Sequence, residues 1–203
     1  MKVAIIDYGV GNLFSLKCSI TAVGYEAVVT SDEKEIARAD KILLPGVGAF
    51  EDAARKLRRS GMADVVKEQA KKGKPLLGIC LGMQLLLDKS FEYGEHEGLG
   101  LIPGNVRPIA DVIDPQLKIP HIGWNPLIFR SPSPLYRDVR EGDCVYFVHS
   151  YYAADCGPYV TADAQYSAML TASVEKDHVY GVQYHPEKSG EVGLKILKAF
   201  CEL

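Results

Sequence analysis

A cysteine set between two glycines, Gly78-Ile79-Cys80-Leu81-Gly82, is the pentapeptide of this chain best suited to nucleophilic chemistry. It follows an apolar stretch, precedes a helical one and has the G-x-nucleophile-x-G form of a nucleophile elbow, with Cys in the nucleophile position. Such an elbow must project one side chain above a sheet edge, and small residues two before and two after let the backbone turn sharply without clashes. The helix that follows offers the Leu81 N–H to a developing oxyanion. A buried cysteine at a strand end shows the same local pattern, because Cys is among the most buried residue types. Spacing alone leaves both readings open.

A cysteine nucleophile needs a base, and His185 is the best placed of five histidines. It ends the strand-like run Val179–Tyr184 and precedes a helix, which in a parallel sheet brings it to the same edge as Cys80. Glu187 lies two residues on, close enough to orient the imidazole as the third member of a triad. The alternative is a polar helix-start turn in which Glu187 only favours the helix dipole. His149 ends the strand Val145–Val148 and either lines the same cleft or is a satisfied strand-end histidine. His121 reads as a surface turn, and His96 and His178 as solvated. No histidine pair has metal-ligand spacing, so no metal site is expected.

The glycine-rich turns divide. Gly9-Val10-Gly11 has Phe14 where a dinucleotide fingerprint needs its third glycine, and no phosphate-loop pattern is present, so no cofactor is expected. Pro45-Gly46-Val47-Gly48 follows a strand at the sheet edge that would face the cleft. The glycines there let a peptide N–H of Gly46, Val47 or Gly48 point at an oxyanion beside Leu81, or the segment is a plain strand-to-helix turn.

The elements that must position these residues alternate in the first half. Strands are expected at 2–7, 25–30, 41–44 and 75–79. Helices are expected from Leu13 to a C′ glycine at Gly24, from Ser31-Asp32 with Glu35 completing a capping box, over 50–59, over 62–72, and over 81–89. Asn12 ends a turn cluster suited to capping the first helix. Strands apolar throughout, alternating with helices, argue for a parallel sheet covered on both faces. Stretches 105–110, 124–129, 144–149, 159–167 and 178–184 are rich in Val, Ile, Tyr and Phe, and predict an antiparallel extension or further strands of the same sheet. A last amphipathic helix carries Val192, Leu194, Ile196, Leu197 and Phe200. With no repeat and no long linker, residues 1–203 read as one α/β domain.

Composition closes off other classes. The 203 residues are 47% apolar and 24% charged, ordinary for a globular chain, and the net charge of −3 gives no basic field for nucleic acid or an anionic membrane. No apolar run reaches the length of a membrane span, and Asp7 arrives too early for a signal peptide. Five cysteines without a CxxC pair favour free thiols in a reducing compartment. The expectation is a soluble cytoplasmic protein.

Taken together, the elbow Gly78-Ile79-Cys80-Leu81-Gly82-Met83-Gln84 and His185-Pro186-Glu187 resemble the class I glutamine amidotransferases, whose glutaminase domain uses a Cys-His-Glu triad. Within that family, Asp7-Tyr8-Gly9-Val10-Gly11-Asn12, Pro120-His121-Ile122-Gly123-Trp124-Asn125, Tyr146-Phe147-Val148-His149-Ser150-Tyr151 and His185-Pro186-Glu187-Lys188-Ser189 are similar to the glutaminase subunits of imidazole glycerol phosphate synthases. The resemblance implies an open, mostly parallel, flavodoxin-like sheet. It implies hydrolysis of L-glutamine to glutamate and ammonia through a thioester on Cys80, with the Leu81 and Gly46–Gly48 N–H groups receiving the oxyanion. Gln84 and Glu92 match family positions that contact glutamine, Glu92 meeting its α-ammonium, and His149, Ser150 and Tyr151 match those holding its α-carboxylate. Ammonia must be delivered before it protonates, so a (β/α)8 cyclase subunit is the implied partner, facing Asn12, Trp124, Tyr146 and Lys188. The same triad also serves glutaminases of anthranilate, aminodeoxychorismate or pyridoxal phosphate synthesis, though these are not expected to carry PHxGWN or HPEKS. A noncatalytic module of the same fold would not need the intact triad. A hydrolase of the α/β type would place its acid before the histidine.

Overall fold

The computed structural model describes residues 1–203. In chain order the first half forms β1 (Lys2–Ile6), α1 (Leu13–Ala22), β2 (Glu26–Thr30), α2 (Glu33–Arg38), β3 (Lys41–Gly46), α3 (Phe50–Arg59), α4 (Met62–Lys71), β4 (Leu76–Cys80) and α5 (Leu81–Leu85). Next come β5 (Lys89–Ser90), β6 (His96–Glu97), β7 (Asn105–Pro108), β8 (His121–Pro126), β9 (Ile128–Phe129), β10 (Cys144–His149) and β11 (Tyr151–Ala154). The chain ends with β12 (Val160–Tyr166), β13 (Ala168–Lys176), β14 (Val179–Val182) and α6 (Gly190–Cys201). No helix is long and apolar enough to cross a membrane.

One eight-stranded sheet runs β2-β1-β3-β4-β14-β13-β12-β9. Its first five strands are parallel and the rest antiparallel, as the sequence predicts. Successive residues of each parallel strand face opposite layers. Ala4, Ile6, Ile42 and Leu44 pack with Ile36, Phe50, Leu57 and Val66 from α2, α3 and α4. Val3, Ile5, Leu43, Leu77 and Ile79 pack with Leu16, Ile20, Ile196, Leu197 and Phe200 from α1 and α6. Burial of both faces is why these strands carry apolar residues at successive positions rather than at alternate ones.

Several local expectations are corrected. The predicted helix 81–89 stops at Leu85, because the Leu85, Leu86 and Leu87 carbonyls accept from the N–H groups of 99–102 instead of from a continuing helix. The predicted capping box opens with Asp32 accepting from Lys34 N, but Glu35 turns to Lys2 Nζ at 3.0 Å rather than back to Asp32. Asn12 stands at the start of α1 with no side-chain cap bond. β13 lies outside every stretch expected to be a strand. Stretch 105–110 shortens to β7 in a four-stranded side sheet, 144–149 pairs with β8 in a two-stranded one, and 124–129 splits between β8 and β9.

The sheet edge at the carboxyl ends of the parallel strands matters most for chemistry. β3 ends at Gly46, β4 at Cys80, and β14 runs on to His185, so three of the candidate segments leave the sheet side by side.

Candidate active site

Cys80 is the last residue of β4 and sits at φ 56°, ψ −113°. A side chain there holds a backbone conformation that L residues rarely adopt, and it persists only where the surroundings impose it. Three glycines allow the imposition. A Cβ on Gly78 would come within 2.7 Å of the Gly82 carbonyl oxygen, one on Gly46 within 2.7 Å of Gly82 N, and one on Gly82 would overlap the Leu44 carbonyl. The turn therefore folds tightly onto β3, where Gly46 and Cys80 are register partners.

His185 is buried, and its Nδ1 lies 2.8 Å from Glu187 Oε1. Burial disfavours its charged form, but the neighbouring Cys80 sulfur and the Glu187 carboxylate outweigh this and raise the imidazole from 6.5 to about 9. Ser189 fixes the segment: its Oγ donates to the His185 carbonyl at 2.6 Å and accepts from Tyr146 N at 3.0 Å. The His185 N–H donates to the Tyr146 carbonyl at 2.9 Å, so β10 and the histidine turn are tied at two points.

Cys80 and His185 open on one cavity of about 530 Å³, also lined by Val47, Gly48, Leu81, Gln84, Glu92, His149, Ser150, Tyr151 and Lys188. Eleven of the sixteen residues singled out in the sequence thus share it. Gly46 is not on the wall; it lies buried beneath the elbow. Gly48 takes a positive φ of 92°. Gln84 Nε2 donates to the Tyr151 carbonyl at 3.1 Å and to Gln183 Oε1 at 2.9 Å. Glu92 commits Oε2 to Phe50 N at 2.6 Å, which fastens the start of α3 beside the Val47–Gly48 turn. His149 is pushed down to about 4, chiefly by burial, and is neutral near pH 7.

Some neighbours of the site were missed. Gln183 Nε2 lies 3.7 Å from Cys80 Sγ, and Tyr93 forms an exposed rim edge-on to Tyr151. A glutamine and a tyrosine without a motif give no signal in the sequence. His121, read as a surface turn, is instead 1% exposed in β8, covered by Phe147 and Tyr166. His178 is exposed as expected, but His96 is only half-exposed, its Nε2 buried without a partner.

Beside the cavity, Trp124 is 55% exposed and meets Tyr146 edge-to-face at 5.9 Å, while Lys188 Nζ sits 5.9 Å over the Tyr146 ring. Asn12 stands at the start of α1, a helix that packs against the 186–188 turn. A thiol on a strained turn, an imidazole held by a carboxylate and a cavity in front of both make a constellation capable of acyl transfer.

Known proteins share both the sequence and the fold. The family "Glutamine amidotransferase class-I" matches residues 4–202. The imidazole glycerol phosphate synthase subunit HisH of Caldanaerobacter subterraneus subsp. tengcongensis is 50% identical over 202 residues, covering 99% of this chain and 98% of that protein. The HisH subunit of Geobacter sulfurreducens is 46% identical over 206 residues, covering 100% and 99%. Among solved structures, PurLQS from Thermotoga maritima superposes with a TM-score of 0.75 at 19% identity, covering 99% and 97% of the two chains. The glutaminase domain of Trypanosoma brucei CTPS gives 0.66 at 17%, covering 100% and 94%; at such identities the likeness is one of fold. On full-length identity and on the family match, the chain belongs to the class-I glutamine amidotransferases, in the branch of the imidazole glycerol phosphate synthase HisH subunits.

Proposed function

We propose that residues 1–203 form a single glutaminase domain that hydrolyses L-glutamine to glutamate and ammonia and passes the ammonia to a cyclase subunit making imidazole glycerol phosphate and aminoimidazole carboxamide ribotide. The observation that carries this reading is the strained Cys80 opening on the same cavity as the Glu187-held His185. Cys80 attacks the side-chain amide carbon of glutamine as the thiolate, its proton resting on His185, and the Leu81 N–H with an N–H of the Gly46–Val47–Gly48 turn receives the oxyanion. His185, protonated below about 9, gives its proton to the departing nitrogen, and ammonia leaves. The imidazole then takes a proton from water, which attacks the thioester and releases glutamate. Glu187 orients His185 throughout. Gln84, Glu92, His149, Ser150 and Tyr151 hold the substrate's amino-acid end.

Ammonia protonates in bulk water, so the cavity must be covered while it is released. The exposed Trp124 and the half-buried Tyr146 supply aromatic anchors and Lys188 a cation for a (β/α)8 cyclase docked over the mouth, with Asn12 as a further contact. The compartment is the cytoplasm, in keeping with five free cysteines. The test is glutamate release by the purified chain, by itself and with a cyclase partner plus that partner's nucleotide ligand. Strong stimulation by the pair supports the reading. High activity indifferent to the cyclase would move the assignment to another glutaminase, and silence in both would make the chain noncatalytic.

A further inference from the structure

Behind the cavity wall a row of polar groups, buried at its two imidazoles and half-exposed at Asn125, joins the substrate segment to the partner-facing strand. His149 Nδ1 lies 2.8 Å from the Tyr151 carbonyl oxygen, and His149 Nε2 lies 3.0 Å from His121 Nδ1. His121 Nε2 lies 2.7 Å from Asn125 Oδ1, and Asn125 Nδ2 donates to the Gln165 carbonyl at 3.0 Å. Both imidazoles are buried.

Both ends of this row are carbonyl oxygens, which only accept. Each of the three groups between them, while neutral, supplies one donor and one acceptor along the row. Four links therefore share three donors, and one link lacks a proton however the tautomers are set. Flipping the Asn125 amide only moves the gap to Gln165. A fourth donor needs an imidazolium, and burial opposes that charge at both rings, pushing His149 down to about 4 and lowering His121 against the raising effect of Asn125. The titratable neighbours that act on His149 are His121 and His185, both lowering it, and no carboxylate acts on either ring.

We propose that His121 is a positioning residue for the glutamine pocket: through a hydrogen-bond row one proton short, it sets the tautomer of His149 and hence the grip on the Tyr151 carbonyl. With both protons on the Nδ1 atoms, His149 holds Tyr151 and the gap faces Asn125. With both on the Nε2 atoms, His121 holds Asn125 and the Tyr151 carbonyl keeps only Gln84 Nε2. Asn125 follows the exposed Trp124 on β8, so a pull on that strand is traded against the hold on the substrate segment. What the pocket binds rests on the glutaminase reading; the proton count does not.

Two measurements test it. In 15N-histidine spectra of the full chain at neutral pH, both rings should show nitrogens intermediate between donor and acceptor. Asn125→Ala, which removes the competing acceptor, should move both to the Nδ1–H form. In the complex with a cyclase, His121→Phe, which keeps ring size and stacking, should raise the glutamine KM about fivefold with kcat changed less than about twofold. The ammonia-fed reaction should not change, and His121→Gln, with one donor and one acceptor, should restore KM. Single tautomers in the wild type that Asn125→Ala leaves in place, a protonated pair at neutral pH, or an unchanged KM in folded His121→Phe each overturn the proposal. If the wild-type complex releases no glutamate, the glutaminase reading falls while the spectra still decide the proton count.

Discussion

Glu187 spends one carboxylate oxygen on His185 Nδ1, at 2.8 Å, and keeps the other buried with no hydrogen-bond partner. The side chain is 3% exposed, so water does not dilute its charge, and the imidazole is its one partner. Glu187→Gln keeps the shape, but its oxygen can accept from Nδ1–H only by placing the NH2 group where no acceptor lies. Glutaminase kcat should fall by roughly 10²- to 10³-fold, by analogy with triad carboxylates elsewhere. The His185 titration should drop below about 9, which NMR reads directly. An unmoved titration would remove Glu187 from the orienting role.

Two buried histidines should give stability an acid limb and an alkaline limb. His149 falls from 6.5 to about 4 on folding, chiefly through burial. A folded-state pKa below the unfolded one means that its contribution is complete above about 6.5 and is lost as pH falls, by about 3 kcal/mol in all. His185 goes the other way. Burial lowers it, Cys80 and Glu187 raise it further, and the net about 9 gives a contribution complete below about 6.5 and lost as pH rises. Thermal melts should peak near pH 6.5, and Cys80→Ala should flatten the alkaline limb. Alkaline limbs that superpose in the two proteins would show that the Cys80–His185 interaction does not contribute.

The strain at Cys80 can be released by glycine. At φ 56°, ψ −113°, Cys80→Gly removes the Cβ that makes this conformation costly, and should raise unfolding free energy by about 1 kcal/mol while abolishing glutamate release. Chemical denaturation checks the first effect and the glutaminase assay the second. A less stable Cys80→Gly would mean that lost packing of the thiol outweighs the strain.

Gly82 and Gly157 should respond oppositely to alanine. A Cβ on Gly82 would overlap the Leu44 carbonyl, whereas one on Gly157 meets nothing within 4 Å. Gly82→Ala should cost about 2–3 kcal/mol and depress activity by shifting the elbow. Gly157→Ala should be neutral or stabilise by up to about 1 kcal/mol through the unfolded state. Equal melting temperatures for the two variants would count against the close approach of α5 to β3.

The elbow, the His185–Glu187 pair and the parallel half of the sheet were legible in the sequence because each is a local constraint. Gly78 and Gly82 flank Cys80 at the spacing the turn requires, Glu187 reaches an imidazole two residues away, and the strands run apolar through successive positions because both faces are covered. Other features depend on partners far along the chain. α5 ends at Leu85 because the 99–102 segment supplies donors for the carbonyls of Leu85, Leu86 and Leu87, a competition no local pattern records. β13, built mostly of Ala, Met, Ser, Glu and Lys rather than of β-formers, is a strand because β12 and β14 bind its two edges. The sequence by itself determined which residues could be nucleophile, base and orienting acid, since those roles follow from side-chain chemistry and short spacing. Only the tertiary structure decided that His121 is buried against His149, since this takes a strand pairing of β8 with β10 and a cover from β12, and hydrogen-bond partners brought together over such distances leave no periodic trace in the chain.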